Sequence, residues 1–175
     1  SSSTSSSTSS STSSSTSSSS SSTSSSTSSS TSSSTSLPTD EAYSRGTYDA
    51  LPANDSTLTT LFTSGEYIAV RFDDNVYVSL KGNADYSVFE FKNQHTNNIS
   101  SPTVIWKGRS TLSPSSSPVY LQIYNRTSGS WEILDSDGIT GANTKFTLTG
   151  TILHGLTDYY DVNYWLSYRI YQLSI

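Results

Sequence analysis

The sequence contains no cysteine and no methionine, and only nine lysines and arginines stand against fourteen aspartates and glutamates. Without cysteine no disulfide staples the fold, so an apolar core must hold it together. The scarcity of basic residues and the net charge of −5 exclude a nucleic-acid groove and a polybasic membrane patch. Because no methionine is present, we expect that a leader was removed or that the sequence starts inside a longer chain.

Long apolar runs and catalytic motifs are also missing. No stretch approaches the roughly 20 apolar residues that span a bilayer, so no membrane span is predicted. His95 and His154 stand alone, without the spacing of metal ligands, and there is no nucleophile elbow or phosphate-binding glycine loop. The sequence therefore predicts neither an enzyme nor a cofactor, covalent glycans apart. The oxygen-rich segments 73–75 and 135–138 resemble parts of calcium loops, but simple turn chemistry explains them better.

The first 36 residues are serine and threonine only. Such a segment, which we call the arm, has nothing to bury, while ordering it costs about 1–2 kcal/mol per residue. We therefore expect the arm to be extended and held by neighbouring copies of the chain or by O-linked sugars. The candidate attachment sites are the threonines, which recur every four residues with one longer gap: Thr4, Thr8, Thr12, Thr16, Thr23, Thr27, Thr31 and Thr35.

Residues 37–175 hold all the apolar content and suit one domain. They begin with a loop-rich entry over 37–64, interrupted near 57–62 by a short strand or helical turn. Short β-prone segments then follow one another without a convincing helix, which predicts an all-β fold, a β-sandwich or jelly roll of about eight strands. The alternation in Ser130–Leu134 predicts that Trp131 is buried. The predicted strands are 66–72, 76–80, 86–91, 103–106, 119–124, 131–134, 146–152 and 165–173.

A family resemblance begins at Val119. The segment VYLQIYNRTSGSWEILDSD, then FTLTGTI, then DYYDVNYWLSYRIYQ, resembles the second half of galactose-binding-like jelly-roll modules from secreted and surface proteins of bacteria and archaea. The matching features are Asn125 at the end of an aromatic strand, Trp131-Glu132 after a polar turn, and Tyr160-Asp161 before the last strand. The resemblance implies a sandwich that serves adhesion, sugar binding or filament building.

Two kinds of carbohydrate site are predicted. Three N-glycosylation sequons begin at Asn54, Asn98 and Asn125, all in expected loops or turns. Aromatic residues cluster before the last strand, and exposed rings of this kind can stack on sugars; the candidates are Tyr160, Tyr164 and Trp165. Packing of alternate members of this cluster in the core is the competing interpretation.

Two functions follow, both extracellular or at the cell surface. The first is a structural subunit of a pilus-like, O-glycosylated filament, in which the arm of one copy contacts the heads of others. The alternative is a carbohydrate-binding adhesion module on a glycosylated stalk. The first needs the chain as its own partner, whereas the second needs a glycan.

Overall fold

The computed structural model describes residues 37–96 and 101–175, and these form an all-β sandwich with one α-helix. The arm and Asn98 lie outside the described residues, so the expectations for them stay predictions. The elements are β1 (Glu41–Tyr48), β2 (Thr60–Leu61), α1 (Ser64–Arg71), β3 (Tyr86–Gln94), β4 (Thr103–Gly108), β5 (Val119–Asn125), β6 (Ser130–Asp137), β7 (Phe146–Thr151), a 3-10 turn (Leu156–Asp158) and β8 (Trp165–Leu173).

The strands form a large and a small antiparallel sheet. The large sheet has the order β2-β1-β3-β8-β5-β6, and β4 pairs with β7 in the small one. The core joins one face of the large sheet to inward side chains of β4 and β7 and to α1, with Leu121, Ile123 and Leu148 fully buried. At Gly150 a Cβ would lie 2.4 Å from the Leu134 Cβ, so glycine is what lets β6 pack closely on β7.

The predicted strand at 66–72 is wrong, because this segment forms α1. Thr63 caps the helix: its hydroxyl accepts a hydrogen bond from the Glu66 amide, and the Glu66 carboxylate accepts one from the Thr63 amide. The capping box can be recognised in the sequence, and it favours a helix more strongly than the alternation of EYIAVRF favours a strand. The helix buries Tyr67, whose hydroxyl accepts a 2.8 Å hydrogen bond from the Tyr43 amide.

Two other expectations at the start of the domain are also wrong. Residues 76–80 are not a strand, and the entry segment contains the eight-residue strand β1. On one face β1 carries Ala42, Ser44 and Gly46, which do not give the apolar pattern of a core strand. The predicted strands from 86 onward all exist, and β8 has the bounds that the sequence predicts.

Trp131 is half-buried rather than buried in the core, which corrects the expectation from SWEIL. Its ring lies 4.2 Å from the Arg169 guanidinium, and its indole nitrogen donates a 3.3 Å hydrogen bond to the carbonyl of Asn54. The side chain is therefore on the face of the large sheet opposite the core, because its strand neighbour Glu132 pairs with Ile123 of the core face.

This position predicts the cost of removing the ring. Trp131→Ala should lower the free energy of unfolding by about 1–2 kcal/mol, the sum of a cation–π contact and a partly exposed hydrogen bond. A core tryptophan would cost about 3–5 kcal/mol. Urea denaturation measures the difference, and Trp131→Phe, which keeps a ring over Arg169, is the matched control. A loss of about 4 kcal/mol for the alanine variant would place the ring in a core instead.

Candidate functional site

A loop covers the face of the large sheet that points away from the core. We call residues 51–58 the strap. Side chains of the sheet bind the backbone of the strap. Arg169 donates a 2.6 Å hydrogen bond to the Pro52 carbonyl, and Lys92 donates one to the Asp55 carbonyl. The Leu58 amide donates a 3.1 Å hydrogen bond to the Ser44 hydroxyl. Because the β1 residues on this face have small side chains, the strap can lie close to the sheet.

Beneath the strap is a row of polar side chains. The strand register places Ser44, Glu90, Arg169 and Gln122 side by side across β1, β3, β8 and β5, and all four are buried. Arg169 bridges the row, since its Nε donates a 2.8 Å hydrogen bond to the Gln122 amide oxygen. Burial lowers the pKa of Arg169 to about 10, which still leaves it charged at neutral pH.

Glu90 is the exceptional member of this row. It is 1% exposed, and within the described residues neither carboxylate oxygen has a hydrogen-bond partner. The Lys92 ammonium lies 3.1 Å from its Oε1, without the alignment of a hydrogen bond. Burial raises the pKa of Glu90 to about 7, because the nearby charges of Lys92 and Arg169 do not offset the loss of solvent.

A cleft of about 240 Å³ opens beside the strap, lined by Ala42, Asp55, Lys92, Arg126, Asp161 and Trp165. It is smaller than the roughly 300–1,000 Å³ of pockets for drug-sized ligands. Two carboxylates, an ammonium, a guanidinium and an indole ring converge on it. A larger groove of about 350 Å³ between residues 37–40 and α1 lacks this convergence of functional groups.

Arg126 and Asp55 form the rigid wall of the cleft. The Arg126 guanidinium lies 2.9 Å from Asp55 Oδ2, and the same oxygen accepts a 2.7 Å hydrogen bond from the Ser167 hydroxyl. Arg126 also donates through its Nε to the Tyr159 carbonyl at 3.2 Å. These contacts fix both charged groups before any ligand arrives, which reduces the entropy lost on binding.

A tight turn presents Trp165. Oδ1 of Asp161 accepts hydrogen bonds from the amides of Asn163 at 2.8 Å and Trp165 at 2.9 Å. Tyr164 adopts a left-handed backbone conformation with φ 63°, which lets the chain turn into β8. Oδ2 of Asp161 makes no hydrogen bond within the part of the chain that the structure describes. The turn thus places one indole ring and one available carboxylate oxygen at the same cleft.

The three aromatic candidates separate in the structure. Trp165 lines the cleft, and Tyr164 is 40% exposed without lining it. Tyr160 is buried in the core, with its ring edge-on to His95, so it cannot serve as a stacking platform. Burial lowers the pKa of His95, which favours its neutral form.

The sequons also differ. Asn54 is exposed, and its side-chain oxygen accepts only a local 3.1 Å hydrogen bond from the Ser56 amide. Asn125 uses both ends of its amide: the nitrogen donates to Glu132 at 2.7 Å, and the oxygen accepts from the Ser128 amide at 3.0 Å. A glycan on Asn125 would displace the bond to Glu132, whereas Asn54 is open to modification.

The two calcium-like segments serve other contacts. Burial alone would raise the pKa of Asp137, but hydrogen bonds from Thr140 and Ile139 lower it, as in a capped turn. Asp73 pairs with Lys107 and Lys145. Residues 37–96 and 101–175 contain no group of three or more His, Asp or Glu side chains arranged to hold a metal ion. No helix in these ranges is long and apolar enough to cross a bilayer.

Comparison with known families adds one finding. The model of the family AF_1625_C, described as the C-terminal domain of an uncharacterized protein, matches residues 38–166. The chain belongs to the AF_1625_C family. The matched range includes every residue that lines the cleft, and Arg169 lies just beyond it. No curated protein and no solved structure matches the chain. The resemblance of this AF_1625_C domain to galactose-binding-like modules stays an expectation.

Sequence reasoning missed most of the cleft. In the sequence Asp55 and Arg126 are only the middle residues of two sequons, Asp161 is only part of the resemblance, and no pattern points to Lys92 as a site residue. One signal was available: Glu90 and Lys92 are charged residues on either side of Phe91 in a strand, so they share a face. Charged residues in such positions are rarely buried unless they are paired or serve a function.

Proposed function

We propose that this AF_1625_C domain is a carbohydrate-binding head of an extracellular or cell-surface protein. The observation that carries the proposal is the convergence of Trp165 with Asp55, Asp161, Lys92 and Arg126 on one small cleft. An indole ring packs on the apolar C–H face of a sugar, and charged side chains bind its hydroxyls as donors and acceptors. The balance of two negative and two positive groups favours a neutral sugar ring over a strongly charged ligand.

The size and rigidity of the cleft limit the ligands that it can bind. A space of about 240 Å³ suits one sugar unit, such as the end of a glycan chain, rather than a long oligosaccharide. The Arg126–Asp55 pair is held at 2.9 Å and by Ser167 before binding, so selectivity between sugars would depend on the placement of their hydroxyls.

The test is titration of the whole chain with galactose, glucose, mannose and N-acetylglucosamine, followed by two-dimensional NMR. The indole N–H signal of Trp165 is expected to shift with at least one of them. Trp165→Ala should weaken that binding by about tenfold, because an aromatic stacking contact supplies about 0.5–1.5 kcal/mol beyond the area that it buries. Phe72→Ala, which removes an exposed ring that does not line the cleft, is the matched control. Equal losses for both variants, or no shift with any sugar, would contradict the proposal.

The filament function remains a second proposal. The observation in its favour is a pair of exposed apolar side chains, Leu37 and Ile68, that line one groove at the start of the described domain. Phe72, at the end of the same helix as Ile68, is exposed as well. Surfaces of this kind often mark contacts between proteins. Analytical ultracentrifugation of the same sample separates the two ideas: a binding module stays monomeric, whereas a filament subunit assembles without added sugar. Intact-mass measurement of the natural material tests the predicted O-glycosylation of the arm.

A further inference from the structure

Lys92 and Arg169 hold the backbone of the strap, and both are neighbours of Glu90, Lys92 in the same strand and Arg169 directly across in β8. Arg126 and Ser167 hold the strap as well, through the side chain of Asp55. Lys92 donates to the Asp55 carbonyl and lies 3.1 Å from Glu90 Oε1. Arg169 donates to the Pro52 carbonyl at 2.6 Å and is the direct cross-strand neighbour of Glu90. Two donors to the backbone of the strap are therefore also the cations that favour the charged form of a carboxyl without hydrogen bonds.

The competition depends on the charge of Glu90. Burying a neutral carboxyl costs little free energy, whereas burying a carboxylate without hydrogen bonds costs much more. The carboxylate therefore attracts nearby hydrogen-bond donors. Lys92 has a flexible stem with three rotatable donors, so it can turn from the strap to Glu90 at little cost. Arg169 is the cross-strand neighbour of Glu90 in the sheet, and its charge favours the carboxylate form.

We propose that Glu90 is a proton-linked latch for the strap and thereby regulates the cleft beside it. In the protonated state Lys92 and Arg169 hold the carbonyls of Asp55 and Pro52, and the strap is closed. When Glu90 releases its proton to water, the carboxylate draws both cations inward, and the strap loosens. The regulatory part of this proposal rests on the function proposed above, since Asp55 and Lys92 also line the cleft.

The groups that face Glu90 set the range in which the latch works. Lys92 from its own strand and Arg169 from β8 favour the charged form, while Asp55 of the strap opposes it. The neighbours from β1 and β5, Ser44 and Gln122, carry no charge. Burial outweighs the cations and holds the pKa of Glu90 at about 7, so the latch would respond between about pH 6 and pH 8.

Hydrogen exchange of the whole chain at pH 5.5 and pH 8.5 tests the latch. Rates are normalised to the intrinsic exchange of each amide, and the reporters are the Leu58 amide of the strap and the Leu121 amide of the core. Protection of Leu58 is expected to fall about tenfold or more from the lower to the higher pH, and to fall more than that of Leu121. Glu90→Gln should keep Leu58 protected at both pH values.

Two further variants complete the design. Lys92→Met should leave the strap poorly protected even at pH 5.5, since it removes the donor to Asp55. His154→Gln, which replaces an exposed imidazole away from the strap and the cleft, should preserve the response of the unmodified chain. A strap response that survives in Glu90→Gln, or equal losses of protection at Leu58 and Leu121, would overturn the latch.

The latch and the binding function can fail separately. A pH-dependent strap in a chain that binds none of the four sugars keeps the latch and removes the proposed function. If the chain binds a sugar but the strap is equally protected at both pH values, the proposed function stands and the latch is overturned. If both hold, the affinity for the bound sugar should fall about tenfold between pH 5.5 and pH 8.5 in the unmodified chain but not in Glu90→Gln.

Discussion

Glu90→Gln is expected to stabilise the domain at pH 8 by about 2–3 kcal/mol. A carboxyl whose pKa is about 7 when folded and 4.5 when unfolded stabilises the fold fully below pH 4.5. This contribution declines as the pH rises from 4.5 to about 7, because the folded state then binds more protons than the unfolded state. The total corresponds to about 3 kcal/mol, of which the amide should recover most, since it is neutral and of the same shape.

Urea denaturation at pH 5 and pH 8 measures this effect. The unmodified chain should lose stability between the two values, while Glu90→Gln should change little. Asp49→Asn, which neutralises an exposed carboxylate, is the control and should behave as the unmodified chain does. If the unmodified chain instead gains stability toward pH 8 and the glutamine variant loses that gain, the ion pairs of Glu90 outweigh its burial.

Arg169→Ala is expected to cost about 3–5 kcal/mol at pH 8, the size of loss seen when a buried charge, here that of Glu90, loses a compensating one. The variant takes a donor from the Pro52 carbonyl and from Gln122, removes the cation over Trp131, and leaves Glu90 with less compensation. At pH 5 the cost should be smaller, because a protonated Glu90 needs no cation.

The matched control is Arg109→Ala. Arg109 also stacks on an aromatic ring, at 4.6 Å from the Tyr77 centroid, but it is exposed. Its loss should cost less than about 1 kcal/mol, as for other surface substitutions. Thermal or urea unfolding of both variants at the two pH values gives the comparison, and similar costs for Arg109 and Arg169 would show that the buried row contributes little.

The expected effects of both substitutions come from the face of the large sheet opposite the core, which is exposed to solvent in an ordinary sandwich. A sheet that packs on one face usually exposes polar side chains on the other. Here the strap covers that face, so the polar side chains become buried and must find partners within the protein. Most do, as Ser167 does with Asp55 and Arg169 does with Gln122. Glu90 does not, and this is why both its protonation and the strap are expected to respond to pH.

The sequence by itself determined the fold class and most of the strands. Alternating Val, Ile, Tyr and Phe from Tyr86 onward predict short, half-buried strands, and these residues form them because sheet pairing and burial favour the same pattern. The sequence also contained the start signal of α1, in Thr63 and Glu66, although the alternation that follows it led to a predicted strand. Composition likewise predicts no basic nucleic-acid groove, and that prediction depends only on the charges present.

Only the tertiary structure decided where the polar residues meet. The cleft joins residues that lie more than a hundred positions apart, such as Asp55 and Trp165, and no periodicity or spacing links them. The register of β1, β3, β8 and β5 brings Ser44, Glu90, Arg169 and Gln122 into one row, and register depends on long-range pairing. The sequence also could not predict that Tyr160 is buried and Tyr164 exposed. The turn between them, in which Tyr164 has a left-handed backbone conformation, places one ring in the core and the other at the surface.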